Sequence, residues 1–296
     1  MTKGILETQD ASQAGDVAIS VRSLTFSYGS SAEPVLRNVS LEVEHSEFVL
    51  VAGPSGCGKT TLCRTLNGLI PHFYPGAFEG EVWVHGLEVA ESSMYELAQI
   101  VGFVFQNPDN QIVMTTVERD LAFGLENLGL PREQITERVG WVLSLLGLEN
   151  ISDAPVQSLS GGQKQKLVVA GAIAMRPSVL VLDEPTAYFS PASAAEFFSL
   201  LETLRRELGL TIVMVEHRLD LASRYASRIL VIEEGQIVFE GTPRQVFEAD
   251  LSKLAGINVP SLVRLYHDLK ERGIQLSRLP LTPEEFKSSF SETFHP

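Results

Sequence analysis

Nine consecutive residues, Gly53-Pro54-Ser55-Gly56-Cys57-Gly58-Lys59-Thr60-Thr61, carry the plainest chemistry in this chain. They fit the spacing G-x-x-x-x-G-K-[ST], a glycine-rich turn ending on a lysine and a hydroxyl residue. Glycines at 53, 56 and 58 let the backbone curl, so that successive N–H groups point inward at an anion. Lys59 adds a flexible cation for the β- and γ-phosphates of a nucleotide, and Thr60 offers a hydroxyl to Mg²⁺. A glycine-rich turn with an incidental lysine has the same composition, and the flanks decide between the two. Phe48–Ala52 is a short apolar run, as a buried parallel strand would be. Residues 61–69 then read as a helix whose N-terminus adds partial positive charge to the loop. A nucleoside triphosphate is the expected ligand.

Two further stretches complete such a site. Val179-Leu180-Val181-Leu182 ends in Asp183-Glu184, and strand ends are where α/β sheets place ligands. Asp183 can hold the magnesium through water, and Glu184 can polarise an attacking water. Leu159-Ser160-Gly161-Gly162-Gln163 opens an apolar helix over residues 163–175. It forms a second anion-binding helix start, where a linker of the same composition would have no apolar helix behind it. Two such helix ends in one chain suggest a single nucleotide clamped between two copies.

The elements around these residues read as follows. Residues 1–16 have the composition of a disordered tail. Residues 17–21 and 24–28 alternate as two half-buried antiparallel strands, and Val39, Leu41 and Val43 mark a third. Residues 71–80 read as a loop and 80–84 as a strand. From about 92 to 175 the pattern is helical, too long for one crossover, and reads as a subdomain. Thr115 and Glu118 have capping-box spacing, and Pro131 and Gly147 bound a helix. Apolar strands at 179–182 and 211–215 belong in a parallel sheet, and 228–239 folds as a hairpin about Glu234-Gly235. Beyond 242, helices at 260–273 and from 282 onward carry apolar stripes that fit either this chain's own core or a partner.

Composition sets limits. At 296 residues and 44% hydrophobic the chain has enough apolar surface for a real core. A net charge of −14 argues against nucleic-acid backbone binding, which needs a basic footprint. Cys57 and Cys63 are too few and too close for a metal or disulfide framework, and free thiols fit a reducing cytosol. The longest apolar stretch, 167–175, stops at Arg176. A membrane span is not expected, and neither is an export signal.

Taken together, the loop at 53–61, the signature Leu159–Gln163 and the strand with its two acids at 179–184 resemble the ATPase subunit of ATP-binding cassette (ABC) systems. The resemblance covers roughly 17–247. It implies an α/β P-loop NTPase fold with a RecA-like core, an N-terminal antiparallel β subdomain, an α-helical signature subdomain and a C-terminal helical extension at 248–296 used in dimerisation. It implies ATP and Mg²⁺ as ligands, with Thr60, Gln106 and Asp183 toward the metal. The nucleotide would be held by Tyr28, residues 53–61, Gln106 and Asp183, and by Ser160, Gly161, Gly162 and Gln163 from the opposite subunit. Tyr28 matches the aromatic residue that stacks on adenine. Gln106 matches the Q-loop glutamine, Glu184 the catalytic glutamate and His217 the switch histidine, acting with Lys59.

The loops at 66–71, 105–111 and 122–127 look like the energy-coupling factor (ECF) ATPases, relatives of the cobalt importer ATPase. That narrower resemblance implies a second ATPase subunit, an integral membrane coupling protein docking near Asp109, and a separate membrane subunit that selects the substrate. The chain would then sit on the cytoplasmic face of the cell membrane. A soluble ABC ATPase serving nucleic acid, ribosomes or cofactor assembly is the rival reading. Ser190 stands where the family's D-loop usually has Asp, which bears on coupling between the two nucleotide sites. Cys57, near a helix N-terminus, is expected to have a lowered thiol pKa and to react with thiol reagents.

Overall fold

The computed structural model describes residues 17–29, 31, 33–249 and 257–294; the segment read as a disordered tail lies outside them. The strands run β1 Val17–Tyr28, β2 Leu36–Glu44, β3 Phe48–Ala52, β4 Gly76–Val84, β5 Leu87–Glu88, β6 Val101–Val104, β7 Val179–Asp183, β8 Thr211–Val215, β9 Arg228–Glu233 and β10 Gln236–Gly241. The first helices are α1 Lys59–Leu66, α2 Leu69–His72, α3 Met94–Ile100, α4 Val117–Asn127, α5 Arg132–Leu146 and α6 Gly161–Ala174. They continue as α7 Pro191–Leu208, α8 Leu219–Ala222, α9 Pro243–Glu248, α10 Ser261–Glu271 and α11 Pro283–Phe294.

One sheet is antiparallel, in the order β2-β1-β4-β5; the other has the order β10-β9-β3-β8-β7-β6 and is parallel except for the β9–β10 hairpin. The continuous apolar runs of β3, β7 and β8 are buried at every residue because both faces of the central sheet are covered. Val49, Val51, Val179, Val181, Val213 and Val215 join α1 and the antiparallel sheet in one core. Phe48, Leu50, Leu180, Leu182, Ile212 and Met214 belong to a second core that holds α4 to α7. Alternate residues of the same strands thus tie two otherwise separate layers together.

The structure departs from the sequence pattern in four places. Residues 17–28 form one strand, with a bulge at Ser23 (φ 51°) and a register shift against β4, instead of two strands. The strand read at 80–84 begins at Gly76, inside the segment read as a loop. The span 92–175 is not wholly helical: β6 pairs along β7 at the edge of the parallel sheet, and the helical layer follows it. The N-cap position of α4 is Thr116 and not Thr115, it makes no side-chain cap bond and no capping box forms, and Asp120 takes the N–H groups of Val113 and Met114, each at 2.9 Å.

The C-terminal helices pack in cis. Val263 of α10 and Leu279 are fully buried against the second core, which includes Val246 and Phe247 of α9. Arg244 pairs with Glu285 at 2.7 Å and donates to the Leu279 carbonyl, and His267 Nε2 lies 2.8 Å from the Phe247 carbonyl. Leu265 remains exposed.

Candidate functional site

The loop between β3 and α1 adopts backbone that only glycine takes easily. Gly53, Gly56 and Gly58 have φ of 151°, 81° and 110°. A Cβ on Gly53 would stand 2.1 Å from the Ile232 carbonyl oxygen, so β9 closes one wall of the loop. Gly58 caps α1 with no side-chain bond to the first turn, which leaves its N–H groups aimed at the loop interior. Lys59 is buried, and its Nζ donates to the carbonyls of Gly53 (2.9 Å) and Pro54 (2.7 Å).

Asp183 ends β7 beside this loop and is almost wholly buried. Burial pushes its carboxyl above the ordinary value; a hydrogen bond from Thr60 opposes the rise and the neighbouring Glu184 charge adds to it. Its Oδ1 has no hydrogen-bond partner among the described residues. A desolvated carboxylate with an orphan oxygen, next to a Thr hydroxyl and within the field of Lys59, is an oxygen set suited to Mg²⁺.

Three strands bring the reactive groups together. Gln106 follows β6, Glu184 follows β7 and His217 follows β8, neighbours in the sheet. Gln106 Nε2 donates to Glu184 Oε2 at 2.7 Å, and His217 Nε2 lies 3.0 Å from Oε1 of the same carboxylate. Glu184 itself has φ 52°, an uncommon left-handed conformation for a non-glycine residue. Its N–H bonds the Val215 carbonyl at 2.9 Å.

Glu216 is a site residue that spacing alone does not reveal. Buried after β8, it accepts from the Thr186 hydroxyl (2.5 Å) and from the N–H groups of His217 (2.7 Å) and Arg218 (3.1 Å). It fixes the turn that carries His217 to the segment following Glu184. Gln111 likewise stitches the Q-loop, donating to the Phe103 carbonyl and accepting from the Phe105 N–H. An isolated Glu or Gln beside a motif gives no sign of such long-range bonds.

Ser160, Gly161, Gly162 and Gln163 begin α6. The Ser160 hydroxyl accepts from the Gln163 N–H, and Gln163 Oε1 accepts from the Ser160 N–H at 2.9 Å, closing a capping box. Among the described residues no hydrogen bond joins this turn to the loop at 53–61. Lys164, one residue on, pairs with Asp109 of the Q-loop at 2.6 Å. Ser190 caps α7 through the Ser193 N–H (3.2 Å). Tyr28 ends β1 with its hydroxyl 3.2 Å from Thr61 Oγ1. Cys57 departs from expectation: burial raises its thiol pKa, and the nearby Lys59 charge only partly opposes this. Cys63, wholly enclosed, is raised further.

A phosphate-cradling loop, a buried strand-end aspartate and a glutamate held between Gln and His define a nucleoside-triphosphate hydrolase on a parallel sheet. The ABC transporter family model matches residues 36–187, and the chain belongs to that family as the ATPase subunit of a transporter. A putative ABC transporter ATP-binding protein of Pyrococcus abyssi is 46% identical over 257 residues, spanning 86% of this chain and 92% of that one. The energy-coupling factor transporter ATP-binding protein EcfA1 of Caldanaerobacter subterraneus is 38% identical over 272 residues, 90% of this chain and 96% of its own. The structure of CbiO1 from Clostridium perfringens, part of the ABC transporter complex cbiONQ, superposes with a TM-score of 0.72 at 30% identity. It covers 85% of this chain and 99% of that one. These relatives bear out both the ABC fold and the narrower resemblance to ECF and cobalt-type ATPases.

Proposed function

We propose that the chain is the motor subunit of an ECF-type importer, pairing with a second ATPase subunit and driving uptake of a vitamin, vitamin precursor or transition-metal ion. The carboxylate of Glu184, held between Gln106 and His217, carries this reading. ATP would lie with its phosphates in the loop at 53–61 and its adenine on Tyr28. Ser160, Gly161, Gly162 and Gln163 of the opposite subunit would close over the γ-phosphate. Glu184 orients the attacking water and draws on its proton as the water's oxygen bonds to the γ-phosphorus and the bond to the ADP oxygen breaks. His217 and Gln106 hold that carboxylate in place, and Lys59 with the loop N–H groups takes up charge on the transferring phosphoryl group. Thr60 and Asp183, with Gln106 from the Q-loop, would hold Mg²⁺, which supplies further neutralisation of phosphate charge.

Membrane coupling is supported by a cleft of about 220 Å³ beside the Q-loop, lined by Ala98, Phe103, Phe123, Val168 and Met175. Val113 is exposed at its rim. In this reading the chain would act peripherally, on the cytoplasmic face, through integral membrane partners: a coupling protein and a substrate-binding subunit; among the described residues no helix is long and apolar enough to cross a membrane. In this reading the extension at 248–296 would serve ATPase pairing, and the exposed Leu265 on α10 supports it.

Glu184→Gln tests the catalytic core: phosphate release should fall about 10²- to 10⁴-fold and an ATP-bound dimer should accumulate on size exclusion. Unchanged release would remove Glu184 from the chemistry. Co-purification from detergent-solubilised membranes separates the importer from a soluble role; recovery with ribosomes or assembly factors in place of membrane proteins would overturn it.

A further inference from the structure

Arg64 sits in the last turn of α1, the helix that begins at Lys59, yet lies outside the phosphate-loop pattern. Its Nη1 donates to the Tyr28 hydroxyl at 3.3 Å, and its guanidinium carbon lies 4.6 Å over the centre of the Tyr74 ring. Tyr28 and Tyr74 meet edge to face at 6.1 Å, and Phe26 props the Tyr28 ring from another side at 4.8 Å. The end of β1, the segment after α2 and the phosphate helix therefore converge on one cation. Backbone pairing supports the same junction, since Tyr28 is opposite Gly76 and the Gly29 N–H bonds the Pro75 carbonyl at 2.9 Å.

Arg64 has an unusual set of partners for an arginine. No carboxylate bonds it among the described residues, and its Nε is buried without a hydrogen-bond partner. A guanidinium whose only role was stability would be expected to satisfy that donor; here the geometry favours two tyrosines over it. Pinned at its hydroxyl by both Arg64 and Thr61, Tyr28 cannot swing its ring. A ring fixed beforehand loses less entropy when a flat ligand stacks on it.

We infer that Arg64 is a positioning residue for the nucleobase platform, registering Tyr28 and Tyr74 on the helix that also carries Lys59. The inference rests on the reading of Tyr28 as the base-stacking residue. It predicts that Arg64 affects recognition of the base and leaves recognition of the phosphates alone.

The test compares ATP with inorganic tripolyphosphate, which has the phosphates and no base, by calorimetry on the full chain carrying Arg64→Met, Arg64→Lys or Tyr28→Ala. Arg64→Met should weaken ATP binding by up to about tenfold, because a Tyr28 ring no longer fixed beforehand has to be ordered when the base stacks on it. Tripolyphosphate binding should change less than about twofold, because its contacts are with the loop. Arg64→Lys should recover part of the loss. The Arg64 charge also lowers the Asp183 pKa; repeating the titrations without Mg²⁺ separates that effect on the proposed metal ligand, since a platform effect persists there. Equal losses on both ligands would mean general damage to α1 and overturn the inference. So would an ATP-specific loss in Tyr28→Ala with none in Arg64→Met. No ATP-specific loss in Tyr28→Ala would instead refute the base-stacking reading beneath it.

Discussion

The two glycine-bearing helix starts, α1 and α6, look alike in sequence and are built differently. The start of α1 is capped by a left-handed glycine with no side-chain bond to the first turn. Its backbone donors are left for a ligand, and the charges that answer them, Lys59 and Asp183, are buried beside it. The start of α6 is capped by Ser160 and closed on itself through Gln163. Lys164, just beyond that turn, is paired with Asp109. One half of the proposed nucleotide site is thus built around its ligand, while the other is self-sufficient until a second subunit arrives. In that proposal the half that binds holds the buried charge, and the half that completes the site holds backbone, a hydroxyl and the Gln163 amide.

That contrast can be broken most forcefully at Lys59. Its ammonium bonds loop carbonyls in the ligand-free chain and is the cation proposed for the β- and γ-phosphates, where charged hydrogen bonds contribute about 1.5–3 kcal/mol each. Lys59→Ala should weaken ATP binding at least about 100-fold on that basis, with the α6 end unaffected. ATP affinity within a few-fold of the unaltered chain would contradict the role. Ser160→Ala probes the other half and should act on stability instead. Loss of an N-cap costs about 1 kcal/mol, visible as a lower thermal midpoint. ATP affinity of the isolated subunit should stay as it was, because no bond links Ser160 to the phosphate loop among the described residues. A large loss of ATP affinity in the isolated subunit would show that the two halves are not separate.

The same division explains what could be read from the sequence. Residues 53–61, 159–163 and 179–184 were legible because each pattern is local: the turn from β3 into α1, the capped start of α6 and the end of β7. The strand β6 was not: four residues interrupted by Gly102 give no periodicity, and pairing with β7 makes them a strand. Glu216 was not legible beside His217, since its role depends on Thr186, distant in sequence and brought close by the β7–β8 pairing. Tyr74 and Arg64 meet Tyr28 only once the antiparallel sheet lies against α1. Cys57 shows a local rule losing to the tertiary one: a helix N-terminus lowers a thiol pKa, but enclosure of the loop raises it. The bulge at Ser23 was hidden because alternation continues on both sides of it.

The smallest expected effect concerns the charge buried beside α1, and it turns on pH. Burial, the largest influence on Asp183, raises its pKa above the ordinary 3.8, against the Thr60 bond and with the Glu184 charge. A carboxyl whose native pKa is raised contributes stability that is fully present below the unfolded value and lost as pH rises through the native one. Above that native value the ionised, desolvated Asp183 therefore destabilises the ligand-free chain. Asp183→Asn keeps the acceptor for Thr60 and removes the charge, so the variant should melt higher than the unaltered chain at neutral pH. The difference should vanish as pH falls through the raised native pKa. Added Mg²⁺ with ATP should reverse the order, stabilising the unaltered chain more than the variant, since a cation compensates the buried carboxylate. No change of this kind is expected at α6, whose start holds no buried acid. A variant that melts lower than the unaltered chain at neutral pH without ligand would mean that the Asp183 charge is already compensated from within the fold.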